Sequence, residues 1–72
     1  LLNDQRTDIN KPNKYNETPF YIACYEGHIE IVRLLLNDHR TQDINKPNNF
    51  DDTPFFVACC NGYFEIVKLL LK

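Results

Sequence analysis

The chain has 72 residues and a formal charge of −2, and 43% of its residues are hydrophobic. That suffices for one small domain with a modest core, and it is too apolar a composition for a disordered chain. Eight basic residues against ten acidic ones argue against a phosphate-tracking nucleic-acid surface, and no apolar run reaches the roughly 18 residues that cross a bilayer.

One pattern organises the whole chain. Residues 8–37 are written again as residues 43–72, thirty-five positions on, and 18 of the 30 aligned residues are identical. A fixed period of this kind marks a repeat array, in which one supersecondary unit stacks on its copy. In chain order, residues 1–7 read as the end of a preceding repeat, since Leu1-Leu2 matches the close of the later leucine triplets. Asp8 to Glu17 holds Asn, Asp, Lys and one Pro, too polar for a core strand. A short extended hairpin projecting from the stack is expected there, with Asn16 at a turn position that favours positive φ.

Thr18 followed by Pro19 opens a helix, because the hydroxyl can cap it and Pro is tolerated at the first helical position. The expected helix spans residues 19–26 and ends at Gly27 in the left-handed conformation. A second helix is expected over residues 28–37. Ile29, Ile31, Val32, Leu34, Leu35 and Leu36 cover most of its circumference and leave only Glu30, Arg33 and Asn37 as a polar stripe. Such a helix must be buried on several sides. It is also shorter than the roughly 12–15 residues at which an isolated helix becomes marginal, so stacking is compulsory. With no glycine after the leucines, Asn37, and Asn3 in the preceding remnant, are expected as left-handed caps. The second copy repeats the hairpin at Asp43 to Asp52, with Asp51 at the turn, and the helices at residues 54–61 and 63–72.

Three cysteines form neither a CxxC pair nor a zinc spacing with histidine. Cys24 and Cys59 hold the same position in successive copies and are expected to be buried, unbridged thiols. Stacked helices stand about 8–10 Å apart, beyond the roughly 7 Å Cα separation that a disulfide tolerates. Cys60 is the thiol expected to react.

In this order and spacing, the blocks resemble the ankyrin repeat family over essentially the whole chain. Thr18-Pro19-Phe20-Tyr21-Ile22-Ala23 and Thr53-Pro54-Phe55-Phe56-Val57-Ala58 stand where the family carries T-P-L-H-x-A. Gly27-His28 and Gly62-Tyr63 match the inter-helix turn, and Asp8-Ile9-Asn10 and Asp43-Ile44-Asn45 match the hairpin. The resemblance implies a mainly α fold, an ankyrin-repeat α-solenoid of stacked helix-turn-helix pairs with short β-hairpin loops. Residues 1–72 then form a single segment: 1–7 the end of a preceding repeat, 8–42 repeat one, and 43–72 a truncated repeat two. It reads as a piece of a longer array without a capping repeat, marginally stable or self-associating by itself. Two departures bear on detail. Tyr21 and Phe56 replace the signature histidine, so its polar bonds near the helix start must change, and Phe56 offers none. The period of 35 exceeds the usual figure of about 33, with the extra residues in the loop Asn37 to Gln42.

No catalytic constellation emerges. The carboxylates are scattered, the chain has no serine, and its two glycines exclude a Gly-rich phosphate loop. His28 reads as a cap at the inter-helix turn and His39 as a solvated loop residue. No catalytic residue, metal ligand or cofactor is expected. The resemblance implies a noncatalytic protein–protein interaction module, intracellular and cytoplasmic, with no nucleic-acid or membrane partner. Family members bind with the hairpin tips and the exposed side of the first helices, which line a concave groove. Carried over position by position, the candidates are Lys14, Tyr15, Glu17, Tyr25 and Glu26, and in the second copy Asn49, Phe50, Asp52, Cys60 and Asn61. Several of these differ in character between the copies, as a recognition face would, although drift at exposed sites leaves the same trace. Tyr15, Tyr25 and Phe50 stand out, because exposed aromatics are enriched as interface anchors. Two other readings stay open: a structural or self-assembling spacer joined through uncapped apolar end faces, and a recruitment arm of a larger enzyme.

Overall fold

The computed structural model describes residues 7–72, so the Leu1-Leu2 remnant and the cap expected at Asn3 lie outside the described residues. Four helices follow in order: α1 Pro19–Glu26, α2 Ile29–Asn37, α3 Pro54–Cys60 and α4 Phe64–Leu70. α1 pairs with α2 and α3 with α4, while α1 also packs on α3 and α2 on α4. Two helix pairs therefore stack in register as the layers of a solenoid.

Local chemistry sets the helix ends. The Thr18 and Thr53 hydroxyls accept the N–H of Tyr21 (3.0 Å) and Phe56 (3.1 Å), each with Pro at the first helical position. Gly27 closes α1 at φ 78°, and Gly62 follows α3 at φ 72°. Among the described residues, Asn16 and Asp51 are the two non-glycine residues with positive φ, at 65° and 70°, as the turn reading required. Other expectations are corrected. The described residues contain no strand. Each hairpin is one in path only, closed at its tip by two N–H to carbonyl bonds, Asn13 to Glu17 (3.0 Å) and Asn16 to Asn13 (2.9 Å) in the first copy, and Asn48 to Asp52 (2.9 Å) and Asp51 to Asn48 (3.0 Å) in the second. Asn37 is not a left-handed cap. Here α2 runs into an extended Asp38 (φ −90°, ψ 122°), and the Leu35 carbonyl accepts both the Asp38 N–H (3.3 Å) and the Thr41 hydroxyl (2.6 Å). With that carbonyl satisfied, a left-handed residue is unnecessary. His28 stands at the N-cap of α2, but its side chain makes no capping bond.

Burial shows how the layers meet. Phe20 is 4% exposed and its counterpart Phe55 37%, while Ile31 is 46% exposed and its counterpart Ile66 2%. A position covered in only one copy faces the neighbour that only this copy has. Phe20, Tyr21, Cys24 and Val32 are therefore the face of repeat one that meets repeat two. Pro54, Val57 and Ile66 are the answering face of repeat two, and Ala23 and Ala58 are buried in both copies. The expectation that α2 is buried on several sides is corrected on the same ground: Ile31 and Leu34 lie on its uncovered side and are exposed. So is the expectation for Cys59. Cys24 is buried under repeat two, whereas Cys59 lies on the outer face of repeat two and is exposed.

Candidate functional site

The two tips are built around asparagines. The Asn13 side-chain oxygen accepts the N–H groups of Tyr15 (2.9 Å) and Glu17 (3.0 Å), folding the first tip around itself. Asn48 does the same for Phe50 (2.9 Å) and Asp52 (3.0 Å). An Asn closing a turn onto its own downstream backbone is a stable local unit. At each apex the dipeptides Lys14-Tyr15 and Asn49-Phe50 are left exposed. The Lys14 ammonium lies 5.3 Å from the centroid of the Tyr15 ring, within cation–π range.

Neighbouring tips are tied together. The Asn49 N–H donates to the Tyr15 carbonyl (2.9 Å), and its side-chain amide donates to the Lys14 carbonyl (3.2 Å). Asn16 reaches across to the Pro47 carbonyl (3.3 Å). Deeper in, the Asn48 amide donates to the Tyr21 hydroxyl (2.9 Å), and both residues are buried. One Asn48 side chain thus shapes the second tip with its oxygen and fastens it to α1 with its nitrogen. Burial first, and then the charges of Asp52 and Glu17, push the Tyr21 phenol pKa upward, so it stays a neutral hydroxyl. Tyr21 stacks in turn on exposed Tyr25, with ring centroids 6.3 Å apart and planes at 11°. The Asn61 amide donates to the Tyr25 carbonyl (2.9 Å), joining the end of α1 to the residue after α3.

Tips and helix flank thus form one connected surface with exposed Tyr15, Tyr25 and Phe50 on it. Lys14, Glu26, Cys60 and Asn61 are also exposed, and Glu17 and Asp52 are half-buried. Several candidates have internal duties as well. Glu17 accepts the Asn13 amide (3.0 Å), and Glu26 pairs with the His28 ring (3.2 Å). Asn49 and Asn61 tie the two repeats together. Sequence reasoning missed Asn48 and Tyr21, which hold the surface in place. The available signal was the Asn repeated four residues ahead of Glu17 and Asp52, a spacing that lets one side chain span the turn.

Among the described residues, no three His, Cys, Asp or Glu side chains converge as a metal site. No described helix is long and apolar enough to cross a membrane. A family model described as ankyrin repeats (3 copies) matches residues 1–72. Comparison with curated proteins gave no match.

Proposed function

The chain belongs to the ankyrin repeat family, whose members are generally protein–protein interaction modules, and we propose that it binds a partner protein through the two tips and the flank of α1 and α3. One observation carries this reading. Three large aromatic side chains, Tyr15, Tyr25 and Phe50, stand exposed on a frame that the Asn13, Asn48, Asn49 and Asn61 bonds make rigid. Rigid aromatics lose little entropy on contact and are enriched among the residues that dominate binding energy. Lys14, Glu17, Glu26 and Asp52 supply a mixed-charge rim, with Asn49, Cys60 and Asn61 between.

The opposite side offers less. Arg33 and Lys68 lie 3.9 Å from Glu30 and Glu65 in exposed i, i+3 pairs, and such pairs contribute little in water. Partner capture followed by calorimetry on two sets of variants tests the assignment. Tyr15→Ala, Tyr25→Ala or Phe50→Ala at a true anchor should cost about 1–3 kcal/mol of binding with the helical signal intact. Arg33→Ala and Lys68→Ala should change binding by only about 0.5 kcal/mol or less. If the stripe variants lose affinity while the aromatic ones keep it, the binding face lies on the other side of the solenoid.

A further inference from the structure

The chain has nine asparagines, and one of them, Asn61, is followed by glycine. That pair carries a chemistry of its own. The backbone nitrogen of the residue after an asparagine can attack the side-chain amide carbon, and glycine, with no Cβ, leaves that approach open. Asn61 and Gly62 follow α3, with Gly62 at φ 72°, and Asn61 is exposed. A layer stacked above this position leaves it open: Glu26, thirty-five positions back, is exposed with repeat two in place over repeat one. The counterpart pair Glu26-Gly27 has no side-chain amide to lose.

The fold holds both reacting groups. The Gly62 N–H, on the attacking nitrogen, donates to the Cys59 carbonyl (3.1 Å). The Asn61 side-chain amide, the leaving group, donates to the Tyr25 carbonyl (2.9 Å). The Asn61 N–H donates to the Val57 carbonyl (3.1 Å), with the Asn61 backbone at φ −88° and ψ −1°. Tyr25 lies in the last turn of α1, where carbonyls find no partner within their own helix. The Asn61 amide therefore caps that helix from the other repeat.

We propose that Asn61 is a self-modification site, which deamidates through Gly62 when the two repeats part at this end, and that conversion leaves their joint looser. In the first step the Gly62 nitrogen bonds to Asn61 Cγ as the Cγ–Nδ2 bond breaks. The proton of the Gly62 amide ends on the leaving nitrogen, which departs as ammonia. Water then opens the resulting cyclic imide at one of its two carbonyls and gives aspartate or isoaspartate. Either product carries a carboxylate in place of the amide, with no proton to give the Tyr25 carbonyl. Isoaspartate also routes the main chain through Cβ, which lengthens the turn after α3. The bond that restrains the reaction is thus the bond that the reaction destroys, so each opening that ends in conversion cannot fully close again. All of this concerns the chain by itself and stands apart from the partner-binding reading.

Peptide mapping by mass spectrometry of the 72-residue chain, aged in mildly alkaline buffer with and without urea, tests the proposal. In native protein Asn61 should convert ahead of every other asparagine and give both products. Urea should speed its conversion about tenfold or more, because the three hydrogen bonds no longer hold the site. Gly62→Ala should slow conversion in urea, where the strain of a positive φ plays no part. Asn61→Asp, at an exposed position, reproduces one product. Cys24, buried beneath repeat two, should then label about 2- to 10-fold faster with the helical signal kept, as expected for the loss of one bond across the joint. Aged wild-type protein gives the same reading without a substitution. Conversion of another asparagine ahead of Asn61, or equal rates with and without urea, overturns the proposal. Unchanged Cys24 labelling in both Asn61→Asp and the aged protein also overturns it, because the amide then ties nothing.

Discussion

Repeat one and repeat two carry nearly the same apolar residues, yet they bury opposite halves of them. Phe20, Cys24 and Val32 are covered where Phe55 and Cys59 are open, and Ile66 is covered where Ile31 is open. Nothing local separates the members of these pairs, since both copies start from the same Thr-Pro cap. The difference is the neighbour. Stability in such an array resides in the joint between layers as much as in the layers, and equivalent substitutions in the two copies should report that asymmetry.

The largest contrast should be chemical. Burial pushes the Cys24 thiol up to about 12, which lowers its reactive thiolate fraction at neutral pH about a thousandfold below that of an ordinary thiol. In dilute native protein, Cys24 should label roughly 10²- to 10³-fold more slowly than Cys59, with local opening setting the limit. Mass spectrometry of quenched samples reads the rates, and equal rates at the two sites would show that the inner joint does not protect its residues.

Truncation at the joint comes next. Ile66→Ala removes a fully buried side chain and should cost about 2–5 kcal/mol of unfolding free energy. Ile31→Ala, on the uncovered side, should cost less than about 1 kcal/mol in dilute solution. Denaturant titration of the two variants decides it, and similar midpoints would contradict the assignment of the faces.

The glycines give a finer test. An added Cβ at Gly27 would lie 2.8 Å from the Tyr63 ring, whereas one at Gly62 meets nothing within 4 Å. Both sites have positive φ, so either Ala carries strain of about 1 kcal/mol. Gly27→Ala should cost roughly 1 kcal/mol more, because the ring from repeat two must swing aside. In a Tyr63→Ala background that excess should vanish; if it persists, the close approach is not its cause.

The smallest effect lies in the connection between the copies. The Arg40 guanidinium bonds to both Asp38 oxygens (3.1 and 2.9 Å), and the Arg40 N–H adds a third bond (2.9 Å). The side-chain bonds first, and the backbone bond second, hold the Asp38 carboxyl down to about 2. Its contribution is therefore present above the ordinary aspartate value of about 3.9 and is lost as the pH falls toward about 2. In Arg40→Ala, an NMR titration should find the Asp38 midpoint moved up toward the ordinary range. An unchanged midpoint would mean that the guanidinium does not hold the carboxylate.

Much of this is legible in the sequence. Thr18, Pro19 and Gly27 act within one or two turns of themselves, so their meaning travels with the local sequence, as it does for Asn16 and Asp51 at positive φ. Exposed Tyr15, Tyr25 and Phe50 were likewise readable, because the repeat register puts them on tips and on the outer side of a helix. The bolt between Asn48 and Tyr21 was not. Its partners are 27 residues apart, and no periodic pattern distinguishes an Asn that shapes a turn from one that also reaches the next layer. The end of α2 escaped for a similar reason: the Thr41 hydroxyl closes it from six residues away, a reach that cap rules based on the adjacent residue do not include.

What the sequence determined alone was the unit: its period, its caps, its turns and the apolar set that makes stacking compulsory. These follow from short-range sterics and hydrogen bonding, which the identities of near neighbours specify. The tertiary structure decided which members of that apolar set are covered. Cys24 and Cys59 share a position and a preceding alanine, and only the layer lying over Cys24 makes it inert. Burial belongs to the contact between layers, and that contact depends on which neighbour is present.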